Sequence, residues 1–414
     1  MNKNSRRFIT LLSCFIVSIL FANCTKEKPN SNGDGGTIKF WHFFSEPSQK
    51  DALMIQLNQF EKESGIKVEV SELSWNDGKT KLLAAFNSNT APDVLELGSD
   101  WVAQFSSSGV LSEQIDSAKR FSPEISAPGI WSNKCFALPW VVDTRVLFFN
   151  KELLFNSGID TSVAVTSWDN VLKNSEIVKS KNPDAYGFGS NGPDKHRLYK
   201  KIVPFFWSNG GNIFSENGVP VVNSEANIGA LQKYIELSRA GLIETQKSLD
   251  QTFLQGKIAY WISGSWLVEK IKKDNPKLQF GVSVLPSLKE GSPGVSFAGG
   301  EYLAINAKSN EQVKAKKLID FLTSGKNALA FGKALPGGMT PAELSVSDPF
   351  LTTGTRAVFT EQLKNSKMTP VHPKWLDIEE IIEDEVSECL LAQKESKQAL
   401  DDAQTRIVEL LNSK

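Results

Sequence analysis

Two carboxylates in this chain stand beside side chains of complementary chemistry, at places where an acidic group is not expected. Asp100 precedes Trp101 just after the strand-like run Asp93 to Leu97, and Asp143 sits two residues before Arg145 between the two apolar stretches of the block Cys135 to Asn150. A carboxylate accepts charge-assisted hydrogen bonds from hydroxyls, a guanidinium donates in a planar fork, and an indole covers C–H faces. Such groups suit a polyhydroxylated ligand, with rings on its faces and carboxylates along its hydroxyl belt. Glu46, shortly after the first apolar run, adds a carboxylate. Trp41, Trp101, Trp207, Trp266 and Trp375 are candidate platforms, whereas Trp131 and Trp168 are assigned to packing.

The patterning around these residues alternates strand and helix. Thr37 to Trp41 reads as a buried strand and Pro47 to Glu63 as an amphipathic helix with Leu53, Leu57 and Phe60 on one face. Ile66 to Leu73 alternates at period two, Lys79 to Asn87 is helical, and Asp93 to Leu97 is a further strand. This β-α-β-α-β order predicts a largely parallel sheet with helices on both faces, where ligands bind beyond the carboxyl ends of the strands. Two groups of residues meet that rule, His42 to Glu46 and Gly98 to Trp101. Cys135 to Asn150 is long enough to cross between lobes, with Asp143 and Arg145 on one face. A strand over Glu301 to Asn306 follows Gly299 and Gly300, where glycine permits either a bend or close ligand approach. The last 40 residues are helical, with Ser396 as a candidate N-cap.

At the amino terminus Lys3, Arg6 and Arg7 precede the apolar run Phe8 to Asn23, which is short for a membrane span and suits an export signal. Phe21-Ala22-Asn23-Cys24 resembles the bacterial lipobox, with Phe21 and Asn23 departing from its usual residues, and implies lipidation at Cys24. Thr25 to Gly36 is polar and rich in Gly, Asn and Ser, the composition of a tether. Removing residues 1–23 leaves 43 basic and 47 acidic residues, a net charge of −4 without a basic cluster, which argues against nucleic acid. Cys135 and Cys389 remain after lipidation. Export permits a disulfide between them, but Cys389 lies on an apolar helical stripe, which favours two buried thiols. The three histidines are scattered, so neither a metal site nor a cofactor is expected.

Several segments together resemble the extracellular solute-binding proteins of family 1, the group containing the maltose-binding protein of ABC importers. They are Ile38 to Phe44, Thr90 to Val94 with Gly109 to Leu111, Leu138 to Arg145 leading into Phe149 to Leu154, Gly256 to Tyr260 with Gly264 to Trp266, and Ala399 to Ile407. The resemblance implies an α/β periplasmic-binding-protein-like fold (type II): two lobes, each a largely parallel sheet flanked by helices, with a ligand cleft between them. The implied boundaries are a signal peptide at 1–23, a lipidated cysteine and tether at 24–36, one lobe from 37–141 plus 300–334, and the other from 145–297 plus 340–414. Hinge crossings then fall near 142–144, 298–299 and 335–339.

Carried over by motif, ligand positions fall on Ser45, Glu46, Asp100, Trp101 and Asp143 in the first part, and on the loop Asn191 to His196, Trp266 and Trp375 in the second. Arg145, Trp41, Trp207, Gly299, Gly300 and Glu301 complete the candidate set. Maltose binders carry an Arg where this chain has Trp101, so the particular sugar is not inherited. The resemblance implies a monomeric, non-enzymatic binding component, lipid-anchored in the bacterial cell envelope, that captures a mono- or oligosaccharide by hinge closure and delivers it to ABC permease subunits.

A secreted glycoside hydrolase is the alternative of a different class; it needs two carboxylates flanking one bond, and Asp100 with Asp143 is the available pair. A third reading keeps the fold and exchanges the sugar for another solute. Iron would call for clustered tyrosines, whereas the five here are dispersed at 186, 199, 234, 260 and 302. An anionic ligand would call for several basic groups, where acidic ones are the more evident.

Overall fold

Strand Thr37–His42 buries Ile38, Phe40 and His42 and exposes Thr37 and Lys39, the period-two pattern of a sheet with one covered face. It belongs to a computed structural model that describes residues 36–413 except 76, 115–119, 164, 193, 290–291, 336 and 344. The export signal, Cys24 and nearly all of the tether lie outside the described residues. Helix Pro47–Ser64 follows the first strand and buries Leu53, Leu57 and Phe60 as expected, ending where Gly65 takes the left-handed conformation.

The described strands form two principal sheets. The larger runs in the order Thr340–Pro341, Ala137–Thr144, Ser296–Ile305, Val94–Gly98, Thr37–His42, Lys67–Glu72, with Ser366–Lys367 alongside Ser296–Ile305. The smaller runs Phe280–Ser283, Val146–Asn150, Ile258–Ser263, Tyr186–Asn191, Leu242–Glu244. Both are mixed, which corrects the expectation of largely parallel sheets. Pairing is parallel around Thr37–His42 and Tyr186–Asn191 and between Ser296–Ile305 and the short Ser366–Lys367, and antiparallel in the other pairs that the crossing strands make. The reason is topological. The chain leaves the larger sheet along Ala137–Thr144 and returns along Ser296–Ile305, and neighbours that go out and come back run in opposite directions.

The expected long crossing strand is two strands in different sheets, broken at Arg145. Ala298 and Gly299 pair with Thr144 and Asp143, so the first two crossings lie side by side. Hydroxyls tie them together: Thr144 Oγ1 donates to Phe297 O at 2.8 Å, and Ser296 Oγ donates to Arg145 O at 2.7 Å. Gly300 is required here, because a Cβ would stand 2.7 Å from Val141 O. Beyond the third expected crossing, Thr340–Pro341 still pairs with Val142 and Val141 of the larger sheet. Thr340 and Pro341 thus belong to the larger sheet.

One core lies under the larger sheet, where helices Gln312–Thr323 and Gly325–Ala334 bring Leu318, Ile319, Leu322 and Phe331 against Ile38, Phe40 and Trp140. A second lies on the smaller sheet around Phe148, Phe253 and Trp261. A third is continuous from one lobe to the other, running from Phe43 and Trp101 through Phe297 and Tyr199 to Trp375. The last described helix is Ser396–Asn412, with Glu395 rather than Ser396 at the N-cap position and without a side-chain capping bond. Both described cysteines are free thiols; Cys389 is buried but Cys135 only partly so, because it lies in a two-residue strand paired with Ile130–Trp131 in a small separate sheet.

Candidate functional site

The lobes meet where Asp100, just beyond the carboxyl end of Val94–Gly98, faces the start of helix Tyr199–Ser208. That helix has no side-chain cap of its own. Its opening amide is instead satisfied from the carboxyl-terminal region, where Glu383 Oε1 accepts from Tyr199 N at 3.0 Å and Oε2 accepts from His196 N at 2.8 Å. The helix start is thereby fixed, and Tyr199 Oη donates to Asp100 Oδ2 at 3.2 Å across the cleft. Lys200 Nζ lies 3.7 Å from the same oxygen. Asp100 is thus a cleft residue linked to the opposite lobe, and no capping bond from its side chain to helix Val102–Ser107 is present.

Three rings back Asp100 on the larger lobe. Phe43 stacks on Trp75 with centroids 4.3 Å apart, and Trp101 meets both rings edgewise at 5.4 and 5.3 Å. Trp101 is buried in this group, whereas Trp75 keeps partial exposure. On the facing side the Arg145 guanidinium lies over the Trp266 ring at 4.6 Å and near Phe297 at 5.7 Å. Trp266 Nε1 donates to Asp250 Oδ2 at 3.2 Å, and Asp250 also accepts from Trp261 Nε1 and Lys270 Nζ. Asp250 thereby orients the Trp266 ring while leaving the residue partly exposed.

Asp143 lies in the first crossing strand, Ala137–Thr144. It does not pair with Arg145, because the chain breaks into a second sheet between them. Its Oδ1 faces both terminal nitrogens of Arg356 at 3.3 Å, and its Oδ2 accepts from Ser265 N and Oγ at 3.1 and 2.8 Å. Arg356 also donates to Gly338 O and Thr340 Oγ1, both at 2.8 Å. The result is a buried clamp joining the first crossing, the third crossing and the turn before Trp266. Gly337, at φ 75°, is needed for the same approach, since a Cβ would fall 1.8 Å from Ser265 O.

The other candidates are placed as follows. Glu301 is half-buried, its Oε2 fully so, beside Glu96 of strand Val94–Gly98. Gly299 and Gly300 lie on the returning strand next to Asp143 and Val142. Trp375 is buried and donates from Nε1 to Glu379 Oε2 at 3.0 Å; Trp207 is also buried. Asn191 is buried and donates to Asp194 Oδ2 at 3.4 Å. Ser45 and Glu46 are exposed, with Glu46 starting helix Pro47–Ser64 and its amide donating to Gln49 Oε1. Trp41 is half-buried. Glu96, Tyr199, Lys200, Trp75 and Arg356 were not singled out from the sequence. Trp75 follows a strand end and obeys the rule that found Asp100, and Glu96 is an acid inside an apolar strand. No local signal marks Tyr199 or Arg356.

Burial and neighbouring charge shape the protonation of this region. Burial lowers the proton affinity of the Arg145 guanidinium, with Asp143 opposing that effect. Burial likewise raises Glu379 to about 7. His196 Nδ1 lies 2.5 Å from Glu379 Oε1, and this hydrogen bond raises the imidazole above its ordinary 6.5. A raised imidazole contributes stability that is complete below its unfolded value and is lost as pH rises through its folded value. His196→Asn is therefore expected to melt below the wild type at pH 6, with the difference closing by pH 9, as read by thermal unfolding at both pH values.

Two lobes joined by paired crossings, with acids, cations and rings facing one another between them, define a solute-binding protein. The chain belongs to the bacterial extracellular solute-binding protein family, which matches residues 46–328. Over 97% of its length it is similar to the galactooligosaccharide-binding protein of Bacillus subtilis, at 26% identity and 96% coverage of that protein. It is 25% identical to the maltooligosaccharide ABC transporter solute-binding lipoprotein of Streptococcus pneumoniae, with 96% of each chain covered. The maltose-bound MalE3 of T. maritima shares its fold with a TM-score of 0.78 at 23% identity, covering 91% of this chain and 100% of that one. The GacH receptor of Streptomyces glaucescens does so with a TM-score of 0.79 at 22% identity, covering 92% and 99%. The family and these relatives are binding proteins.

Proposed function

We propose that this protein captures a carbohydrate between its lobes, closes on it by hinge rotation, and presents the closed form to an ABC permease. The observation that carries the reading is the meeting of Asp100 and Glu301 from one lobe with Arg145, Lys200 and the Trp266 ring on the facing side. Carboxylates and cations hold a hydroxyl belt, and a partly exposed indole covers a sugar face. The naming of two relatives for oligosaccharides supports the same class of ligand. Cations are more prominent between the lobes than the sequence suggested, yet each has an acidic neighbour, which suits neutral polyols better than a dianion.

Hydrolysis is disfavoured because Asp143, one of the two acids available for it, has both oxygens engaged by Arg356 and Ser265. Calorimetric titration with malto-, galacto- and chito-oligosaccharides should give saturable binding to at least one, with no turnover of the corresponding chromogenic glycosides. Absence of binding across the panel would reject the reading.

The protein is further proposed to be anchored through Cys24, with residues 25–36 as the tether, and to act as a monomer. The Streptococcus pneumoniae relative is itself a lipoprotein. Two or three acyl chains give stable attachment where one is marginal. Mass spectrometry of the mature protein should find acylated Cys24 at its amino terminus, and Cys24→Ala should shift the protein from the membrane to the soluble fraction. Retention of the variant in the membrane fraction would contradict the anchor.

A further inference from the structure

Glu96 and Glu301 occupy neighbouring antiparallel strands. Glu96 is opposite Leu303 and Glu301 opposite Gly98, which puts the two carboxyls on one face in diagonal positions. Each carboxyl turns one oxygen, Glu96 Oε1 and Glu301 Oε2, into the buried interior with no hydrogen-bond partner, and each group perturbs the proton affinity of the other. Two ionised carboxylates are only acceptors and cannot satisfy each other, whereas one that carries a proton can donate to its neighbour. Glu96 Oε2 is already committed, accepting from Phe43 N at 2.8 Å. If both groups were ionised, Glu96 Oε1 and Glu301 Oε2 would be buried oxygens with no donor. A single proton between the groups supplies the one missing donor.

We infer that Glu96 is a positioning residue that holds Glu301 in the cleft through one shared proton, making carbohydrate capture dependent on that proton. The groups around the pair are the Phe43 amide from the first strand end, Asp100 after the third, and Arg145 and Lys200 on the facing side. Asp143, Arg197 and Tyr199 surround Arg145 in turn. Burial and Glu301 both push Glu96 well above the usual carboxylate range, and Glu301 stands at about 7, raised first by burial.

A second ionisation would put two charges side by side in a buried place. Glu301 would turn from Glu96 towards Lys200 and Arg145, into the space that a ligand needs. The sign follows: the proton is in place at low pH, and its contribution is lost as pH rises through the pair. This effect on affinity rests on the carbohydrate reading above; the shared proton does not.

The test uses full-length protein and its Glu96→Gln and Glu96→Leu variants. Glutamine is uncharged yet can still accept from Phe43 N and donate to Glu301, whereas leucine can do neither. Difference infrared spectra of ligand-free protein at pH 6 should show a protonated-carboxyl band that Glu96→Gln lacks, and the wild type should lose thermal stability from pH 6 to 9 more steeply than Glu96→Gln. Affinity for the tightest-binding oligosaccharide of the panel should fall with pH in the wild type, by up to about tenfold per unit, and stay flat in Glu96→Gln. Glu96→Leu should bind weakly at every pH. No difference band and parallel stability profiles would overturn the shared proton. The expected band with parallel affinity profiles would overturn its role in capture. No binding to any sugar would instead reject the carbohydrate reading and leave the infrared result to decide the proton.

Discussion

Arg356→Met is expected to lower the free energy of unfolding by about 3–5 kcal/mol, the usual consequence of leaving a buried charge without its partner. The side chains of Asp143 and Arg356 are 7% and 5% exposed, so water cannot take over the lost contact. The guanidinium also serves Gly338 O and Thr340 Oγ1, which would be left without that donor. Asp143→Asn in the Arg356→Met background should recover part of the loss, because it removes the stranded charge while keeping an acceptor for Ser265. Chemical denaturation of the single and double variants measures both effects. A loss below about 1 kcal/mol would mean that the clamp does not organise the crossings.

The second large effect separates two tryptophans that look alike in sequence. Trp266→Ala should weaken oligosaccharide binding by about 1–3 kcal/mol, the value of an indole that stacks on ligand and loses its buried area. Stability should fall less, because the ring is partly exposed and is anchored chiefly through one bond to Asp250. Trp375→Ala should behave oppositely. Its ring is 1% exposed and packs edgewise on Tyr199, so its removal opens a cavity and costs about 3–5 kcal/mol of stability. Equal binding losses in both variants, with stability intact, would put Trp375 in the site after all.

This contrast shows what was legible in the residue order. Local features were: the helix at Pro47–Ser64 with its Leu53, Leu57 and Phe60 face, the strand before Asp100, and Arg145 and Trp266 in motifs that the structure brings together. Partners separated by long stretches of chain were not. Asp143 and Arg145 are two residues apart and invite pairing, but a change of sheet falls between them, and the true partner is 213 positions away. Tyr199 reads as part of an ordinary helix until Glu383 fixes the start of that helix beside Asp100. Glu96 carries a signal, an acid in a buried strand, but its meaning depends on a strand that returns some two hundred residues later. The mixed sheets have the same origin, since strand direction depends on where the chain comes back.

The central claim is that a carbohydrate binds between the lobes, in contact with Asp100, Arg145, Glu301 and Trp266. A crystal structure of the protein saturated with the tightest-binding oligosaccharide of the panel tests it most directly. The sugar is predicted to lie in the cleft, with hydroxyls hydrogen-bonded to Asp100 and Glu301 and one pyranose face on Trp266. A sugar seated on an outer surface, or lobes closed on one another with the cleft excluding it, would contradict the account.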